Sequence, residues 1–550
     1  MPTSKRTLSP APLPAAKRLH TASSAGPQPR LSFDSSLYEE LILCIFSHLS
    51  WVDLCAAQAT SRNWYRLAAD NELWRRLYLH VFGRSRLRGS RGFVARSDGR
   101  EVRPLPGRAN SKEESLKDWK WMFRISSNWR KGRCSTEQLN GGLHPSLDHR
   151  PESSYQAHVL LAGPLTITAS SQPADIPAIN VLNSTATGHV LACESRLRTG
   201  QCHLTALAID QSPPSHGHLR LVAFLSTGEF AIFSLNPSHL STSSRQLTFV
   251  PNRRNARSSP ATQAVYHHPL LITLSGSFSL SIYDLSDDTV RHTQTLTSFT
   301  SFPPTSLVLS TPTSSTYKLI IAYTIPVYPA HWSVGATELI ITGREIPSLY
   351  AFSEPSSPSA DPLCVTSTRT IRALDVPPGW IDEEKLRSMR EQWSRKVSRV
   401  ADIQTDGKWV VLAPAEGLPS SSADTLPLIS SLDVLSMNSS TTLQLYRLSL
   451  PPASNSVASP PPKLTFVRSL HGQSGPVSSL ALADGRCVSL GLNGSLWVWD
   501  LEAGTGAEVF TSSSPRAAVD SHLVKGTVAF DDRRIITAEG SRVTAHRFDV

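Results

Sequence analysis

A chain of 550 residues, 40% of them hydrophobic, is too long for one ordinary domain unless that domain is built from repeats. No run of about 18 apolar residues is present and no apolar signal-peptide core follows the basic first 30 residues, so the composition predicts a soluble intracellular chain without a membrane span. The net charge of +10 is concentrated at the front: residues 1–135 hold 24 Lys and Arg against 11 Asp and Glu, the remainder 30 against 33, which argues against a general nucleic-acid-binding role for the larger part.

Residues 1–30, rich in Pro, Ser and basic residues, read as a disordered tail. Its Lys5-Arg6 and Lys17-Arg18 pairs have the spacing of a bipartite nuclear localisation signal or belong to a solvated tail. From Leu37 the texture becomes helical. Leu37, Leu41, Ile42, Ile45, Phe46 and Leu49 recur at three- and four-residue steps as one wide apolar face, with Asp34 and Ser35 as candidate caps. A second short helix carries Val52, Leu54 and Cys55 with a cap near Asp53. Trp64, Leu67 and Ala68 mark a third. Asp70 or Asn71 caps a fourth, through Leu73, Trp74, Leu77, Tyr78 and Val81. Residues 33–82 thus form a small helical domain, marginal alone and stabilised by a partner.

Residues 83–111 read as a flexible linker, with eight arginines in 84–108. Phe93 is its one aromatic residue there, which disfavours base stacking. A linker helix over about 112–126 presents Leu116, Trp119, Met122 and Phe123 on one face and leads into Asn128-Trp129-Arg130-Lys131-Gly132.

After Gly132 the period changes to that of strands and stays so to Val550. Short runs such as Leu221–Leu225, Glu229–Phe233, Leu271–Leu274 and Trp409–Leu412, separated by Gly, Asn, Asp and Ser turns, predict a repeating all-β architecture over 133–550. The clearest repeat spans 471–501, from His471-Gly472 to Trp499-Asp500. It has the four-stranded form of a propeller blade. Weaker echoes at 155–195, 205–235, 262–285, 302–350, 399–448 and 526–548 bring the count to about seven. Loops are expected at 236–261, 353–370, 415–432 and 450–463. A charged helical insert is expected at 381–397, with Leu386, Met389, Trp393 and Val397 on one stripe that packs against the propeller or caps one of its faces, and Asp382-Glu383-Glu384 in its first turn.

The segment 37–77 resembles the F-box family. Leu37, Glu39 or Glu40, Leu41, Ile45, Phe46 and Leu49 match its opening helix, Asp53-Leu54 its Asp-Leu pair, Trp64 its later Trp, and Leu73-Trp74 its Leu-Trp. Two positions depart from the pattern: Tyr38 stands for the usual Pro, and Thr60-Ser61 for Val-Cys. Trp119-Lys120-x-x-Phe123 and Asn128-Trp129-Arg130-x-Gly132-Arg133 resemble the linker of F-box/WD-repeat receptors. In that family the following strand closes the ring, so Cys134–Leu139 is expected to pair with the last blade near Val543–Phe548.

The resemblance implies a multidomain fold: an all-α F-box, a linker helix and an all-β propeller of about seven degenerate WD-type blades. It implies the substrate-recognition subunit of a Skp–cullin–F-box ubiquitin ligase, cytoplasmic or nuclear, with an unknown protein substrate on the propeller. Leu37, Leu41, Ile45, Phe46, Leu49, Leu54 and Trp64 are the residues expected to contact the adaptor. The alternative is a propeller scaffold in a nuclear or RNA-processing assembly.

Nothing in the sequence reads as a catalytic, cofactor or metal site. His267-His268 sends adjacent rings to opposite faces of a strand, and His216-x-His218 lacks a third ligand. No nucleophile elbow, phosphate loop or paired-carboxylate motif occurs. The seven cysteines (44, 55, 134, 193, 202, 364 and 487) form no Cys-x-x-Cys pair and read as free thiols, with Cys44 and Cys55 as packing residues.

Overall fold

The structure, a computed structural model, describes residues 37–83, 118–139, 155–183, 188–197, 200–214, 217–251, 259–286, 289–313, 315–327, 330–343, 363–374, 379–415, 441–450, 461–509, 525–540 and 542–550. The expected tail at 1–30, the candidate caps Asp34 and Ser35, the arginine stretch 84–108 and the start of the linker helix lie outside these residues. The chain divides into two units, Met1–Leu77 and Tyr78–Val550. Among the described residues no helix is long and apolar enough to cross a membrane.

The first unit holds α1 (Glu39–Phe46), α2 (Trp51–Gln58), α3 (Arg62–Ala68) and most of α4 (Asn71–Tyr78). Each break has a local cause. Ser50, not Asp53, caps α2: its hydroxyl oxygen accepts the Asp53 N–H (3.3 Å) while its O–H donates to the Asp53 carboxylate (2.7 Å). Ser61 caps α3 by accepting the Trp64 N–H (3.1 Å), and the Asp70 carboxylate takes the N–H groups of Glu72 and Leu73 ahead of α4. Such caps are typically worth about 1 kcal/mol each, a large share of the stability of helices this short.

The second unit contains seven four-stranded antiparallel sheets. Six are continuous in sequence, within 157–192, 204–249, 261–297, 302–372, 400–470 and 477–508; they are the first to sixth blades. The seventh joins three strands within 527–547 to Ser135–Gln138, with Ser135 opposite Arg547 and Gln138 opposite Thr544. The expected ring closure is therefore present, and it leaves neither end of the ring with an open sheet edge.

An apolar cluster lies between every adjacent pair of blades, and strand alternation supplies it. In Thr316–Val327, Leu319, Ile321, Tyr323 and Ile325 face the third blade. Ile320 and Ala322, one step out of phase, face the fifth. Central strands must be apolar on both faces, hence their continuous runs. Polar clasps add to the packing. The buried Asp406 carboxylate accepts the Gly485 N–H (2.9 Å), Asp210 accepts the His268 N–H (3.0 Å), and the Arg534 guanidinium donates to the carbonyls of Gly163 and Leu165 (2.9 and 3.2 Å). In the sixth blade Trp499 donates to Ser489 (2.9 Å), which donates to Gln473 (2.6 Å). The buried polar partner is thus Gln473; His471 is exposed.

Two expected loops contain strands. Ser244–Phe249 lies in 236–261, and Cys364–Arg372 overlaps 353–370. Both are outer strands with half-wet faces, and their Ser, Thr and Arg content hides them. Of the other two expected loops, 415–432 and 450–463, residues 416–432 and 451–460 lie outside the described residues.

The linker helix α5 (Trp119–Lys131) runs further than expected and takes Asn128–Lys131 into its last turn. Gly132 ends it with φ +65°, and the Arg133 N–H reaches the Asn128 carbonyl (3.0 Å), a Schellman-type closure. A Cβ on Gly132 would stand 1.9 Å from the backbone oxygen of Glu508. Gly132→Ala is therefore expected to destabilise the propeller by roughly 2 kcal/mol or more, measured as a lowered thermal midpoint, because both the left-handed backbone and the close approach exclude a side chain.

Candidate functional site

The helical unit has an inside and an outside that its apolar spacing does not separate. Ile42 and Phe46 are buried on α1, and Leu54 on α2. Phe46 meets the half-buried Trp64 edge-on, with ring centroids 5.4 Å apart. Gln58 and the Trp74 indole both donate to the Ala68 carbonyl (2.9 and 2.8 Å), tying α2 and α4 to the end of α3. The Arg66–Glu39 ion pair joins α3 to the start of α1.

Leu41 and Ile45 point outward, 51% and 45% exposed, and Tyr38 one turn earlier is 80% exposed. Positions 38, 41 and 45 lie one turn apart and make a continuous apolar stripe on the unit's surface. Trp51 and Val52 at the start of α2 and Tyr65 on α3 are also exposed. The expected contact set therefore divides. Leu41 and Ile45 are accessible, Leu37, Leu49 and Trp64 are half-buried, and Phe46 and Leu54 are interior. Phe46 and Leu54, both in the set expected to contact the adaptor, are buried within the helical unit of the chain by itself. Tyr38, Trp51, Val52 and Tyr65 are exposed apolar residues outside the expected set; the one signal in sequence was Tyr38 at a position where the family pattern has Pro.

Cys44 and Cys55 are exposed, not packed as expected. Cys193 and Cys487 are buried; burial pushes the Cys193 thiol up to about 12 and that of Cys487 up as well. Because the thiolate is the reactive form, a disulfide reagent at pH 8 is expected to label Cys44 and Cys55 in the native protein. Cys193 and Cys487 should react only after denaturant is added, and the check is mass spectrometry of the labelled peptides.

The propeller holds a polar cavity of about 220 Å³ along its inner strands, lined by His158, Gln263, Thr305 and Gln404 among others. Gln263 donates to the Thr305 carbonyl (2.5 Å) and Ser306 to Gln404 (3.0 Å). Burial lowers the basicity of His158, whose ring faces the Leu204 carbonyl at 3.3 Å. Among the described residues no group of three His, Cys, Asp or Glu side chains could hold a metal ion. The inserted helix, α6 (Glu383–Ser394), is capped by Asp382, whose carboxylate accepts the Lys385 N–H (2.8 Å). None of Glu383–Ser394 is buried; of the expected stripe only Val397, just beyond the helix, packs into the propeller, between the fourth and fifth blades.

Residues 36–80 match the family model described as F-box-like, and residues 176–389 match the one described as F-box protein pof12 beta-propeller. Over 131 residues the chain is 30% identical to the probable E3 ubiquitin ligase complex SCF subunit sconB of Arthroderma otae, covering 20% of this chain and 19% of that one. Over 127 residues it is 27% identical to an F-box protein of Saccharomyces cerevisiae, covering 21% and 19%. The matched part is thus about a fifth of these relatives' length. Among solved structures, the β-propeller domain of Cps50 (Swd1) from Myceliophteria thermophila aligns with a TM-score of 0.36 at 10% identity, covering 72% of this chain and 97% of that one.

Proposed function

We propose that this chain, an F-box protein whose helical domain precedes a seven-bladed propeller, is the substrate-recognition subunit of a Skp–cullin–F-box ubiquitin ligase. The observation that carries the reading is the outward stripe of Tyr38, Leu41 and Ile45 on a capped helical unit that matches the F-box-like model. An exposed apolar row on so small a unit is the surface expected of a domain completed by a partner. The adaptor would cover it and link the chain to the cullin, while the propeller would hold a protein substrate. The chain supplies no catalytic group in this scheme. Ubiquitin transfer gains from the raised local concentration and fixed orientation of a substrate lysine. The free cysteines are in keeping with a cytoplasmic or nuclear setting.

The test is co-purification of the full chain with a Skp-type adaptor and a cullin. Both should be recovered at micromolar protein. A chain that binds neither would overturn the ligase reading and leave a propeller scaffold in its place.

A further inference from the structure

The first strands of neighbouring blades meet one another around the centre of the ring. The polar cavity of about 220 Å³ lies against five of them, from His158 in the first blade to Gln404 in the fifth. Its hydrogen-bonding groups can be assigned one by one. A carbonyl oxygen only accepts, so the His158 Nε2 that faces the Leu204 carbonyl (3.3 Å) carries the ring proton. Burial keeps that ring neutral by lowering its basicity. Its Nδ1 therefore holds a lone pair, to which no group among the described residues donates. The same rule orients Gln263. Its amide nitrogen faces the Thr305 carbonyl (2.5 Å), and its buried Oε1 is left without a donor among the described residues. Ser306 is fully engaged, donating to Gln404 (3.0 Å) and accepting the Thr405 N–H (3.2 Å). Gln404 gives one amide proton to Asp402 (3.4 Å) and keeps the other. The Thr305 hydroxyl makes no hydrogen bond among the described residues.

The cavity thus offers two acceptors and two donors, and its remaining wall includes the apolar Leu207, Val265 and Leu307. No Lys, Arg, Asp or Glu among the described residues lines it. Asp402, bonded to Gln404, is itself offset in part by the charge of Lys525. An ion entering such a site would lose its hydration without meeting an opposite charge, which disfavours it. Hydroxyl groups, each a donor and an acceptor, match both kinds of partner. The volume lies below the roughly 300–1,000 Å³ of pockets for drug-sized molecules and suits a single small ring. We propose that this cavity binds a neutral polyhydroxylated molecule of cyclitol or hexose size. Its hydroxyls would donate to Gln263 Oε1 and His158 Nδ1 and accept from Gln404 and Thr305, with its C–H faces on Leu207, Val265 and Leu307. The site does not depend on what the helical domain binds.

The test is a titration of the full chain with myo-inositol and, separately, with D-glucose, followed by saturation-transfer NMR of the ligand protons at neutral pH. Melting temperature is the wrong readout, because polyols raise it by exclusion from protein surfaces in general. At least one of the two probes should give a saturable signal. Gln263→Met and His158→Phe each remove one acceptor and should each weaken that binding about fivefold, the usual worth of one neutral hydrogen bond. Circular dichroism shows whether each variant folds; should His158→Phe fail to do so, Gln263→Met decides. Butylammonium chloride and sodium butyrate are the charged counterparts, and neither should saturate. Tighter binding of either ion than of both polyols overturns the neutral class. Signals from both polyols that grow without saturating would mean that the cavity is a hydrated channel and no binding site, and would overturn the proposal. So would polyol binding that is equal in the wild type and Gln263→Met, which would place the polyol elsewhere on the surface.

Discussion

A chain carrying Leu41→Ala and Ile45→Ala is expected to keep its helix content and its propeller, and to lose adaptor binding. Both side chains are about half exposed, so truncating them opens no cavity. At a desolvated interface centre each truncation typically removes roughly 2 kcal/mol. Two such losses, if additive, total about 4 kcal/mol, or on the order of a thousandfold in affinity. Titration calorimetry against a Skp-type adaptor measures this, with circular dichroism as the control for folding. Phe46→Ala is the contrasting variant. Phe46 is buried against Trp64, and its loss should cost about 3–5 kcal/mol of stability, comparable with all that so small a unit possesses. That variant would therefore lose binding by unfolding. An adaptor that binds the double variant as tightly as the wild type would show that the outward stripe is not the docking surface.

Trp129→Ala should have the largest effect on the propeller. The indole stacks on Phe548 at a 4.0 Å centroid distance and 12°, lies 6.0 Å from the Phe530 ring and 4.4 Å from the Arg486 guanidinium, and donates to the Asp532 carbonyl (3.0 Å). Replacing it removes a buried aromatic side chain and a cation–π contact, a loss of about 3–5 kcal/mol. The loss falls where α5 meets the sixth and seventh blades, beside the closing strand. Hydrogen exchange should rise first in Ser135–Gln138 and Arg542–Arg547 and much less in the third and fourth blades. Uniform exchange across all blades would mean that α5 does not secure the closure.

Much of the frame was legible. Three- and four-residue spacing located the four helices, and the turn-punctuated strand runs located seven blades. Asn128, Trp129 and Gly132 were legible only through family resemblance; their roles as carbonyl clasp, ring stack and close backbone approach depend on residues some 400 positions away. Periodicity failed where both faces of an element carry similar side chains. On α1, Ile42 and Phe46 face inward and Leu41 and Ile45 outward, and all four are large and apolar. It failed again at Cys364–Arg372, where alternating exposure on an outer strand allows Thr, Ser and Arg to dominate. A Ser-Trp-Val-Asp sequence offers two possible caps three residues apart, and only geometry assigns the role to Ser50.

The closing strand also bears on how the chain is made. Thr136 and His546, paired across the closing sheet, are 410 residues apart in sequence. At roughly 5–20 residues per second a ribosome needs about 20 to 80 seconds to make that stretch. Throughout that interval Ser135–Gln138 has no native neighbour, and the blades already formed present an open edge to other chains. A chain that ends before Arg542 lacks the strand that Ser135–Gln138 pairs with, and its ring stays open.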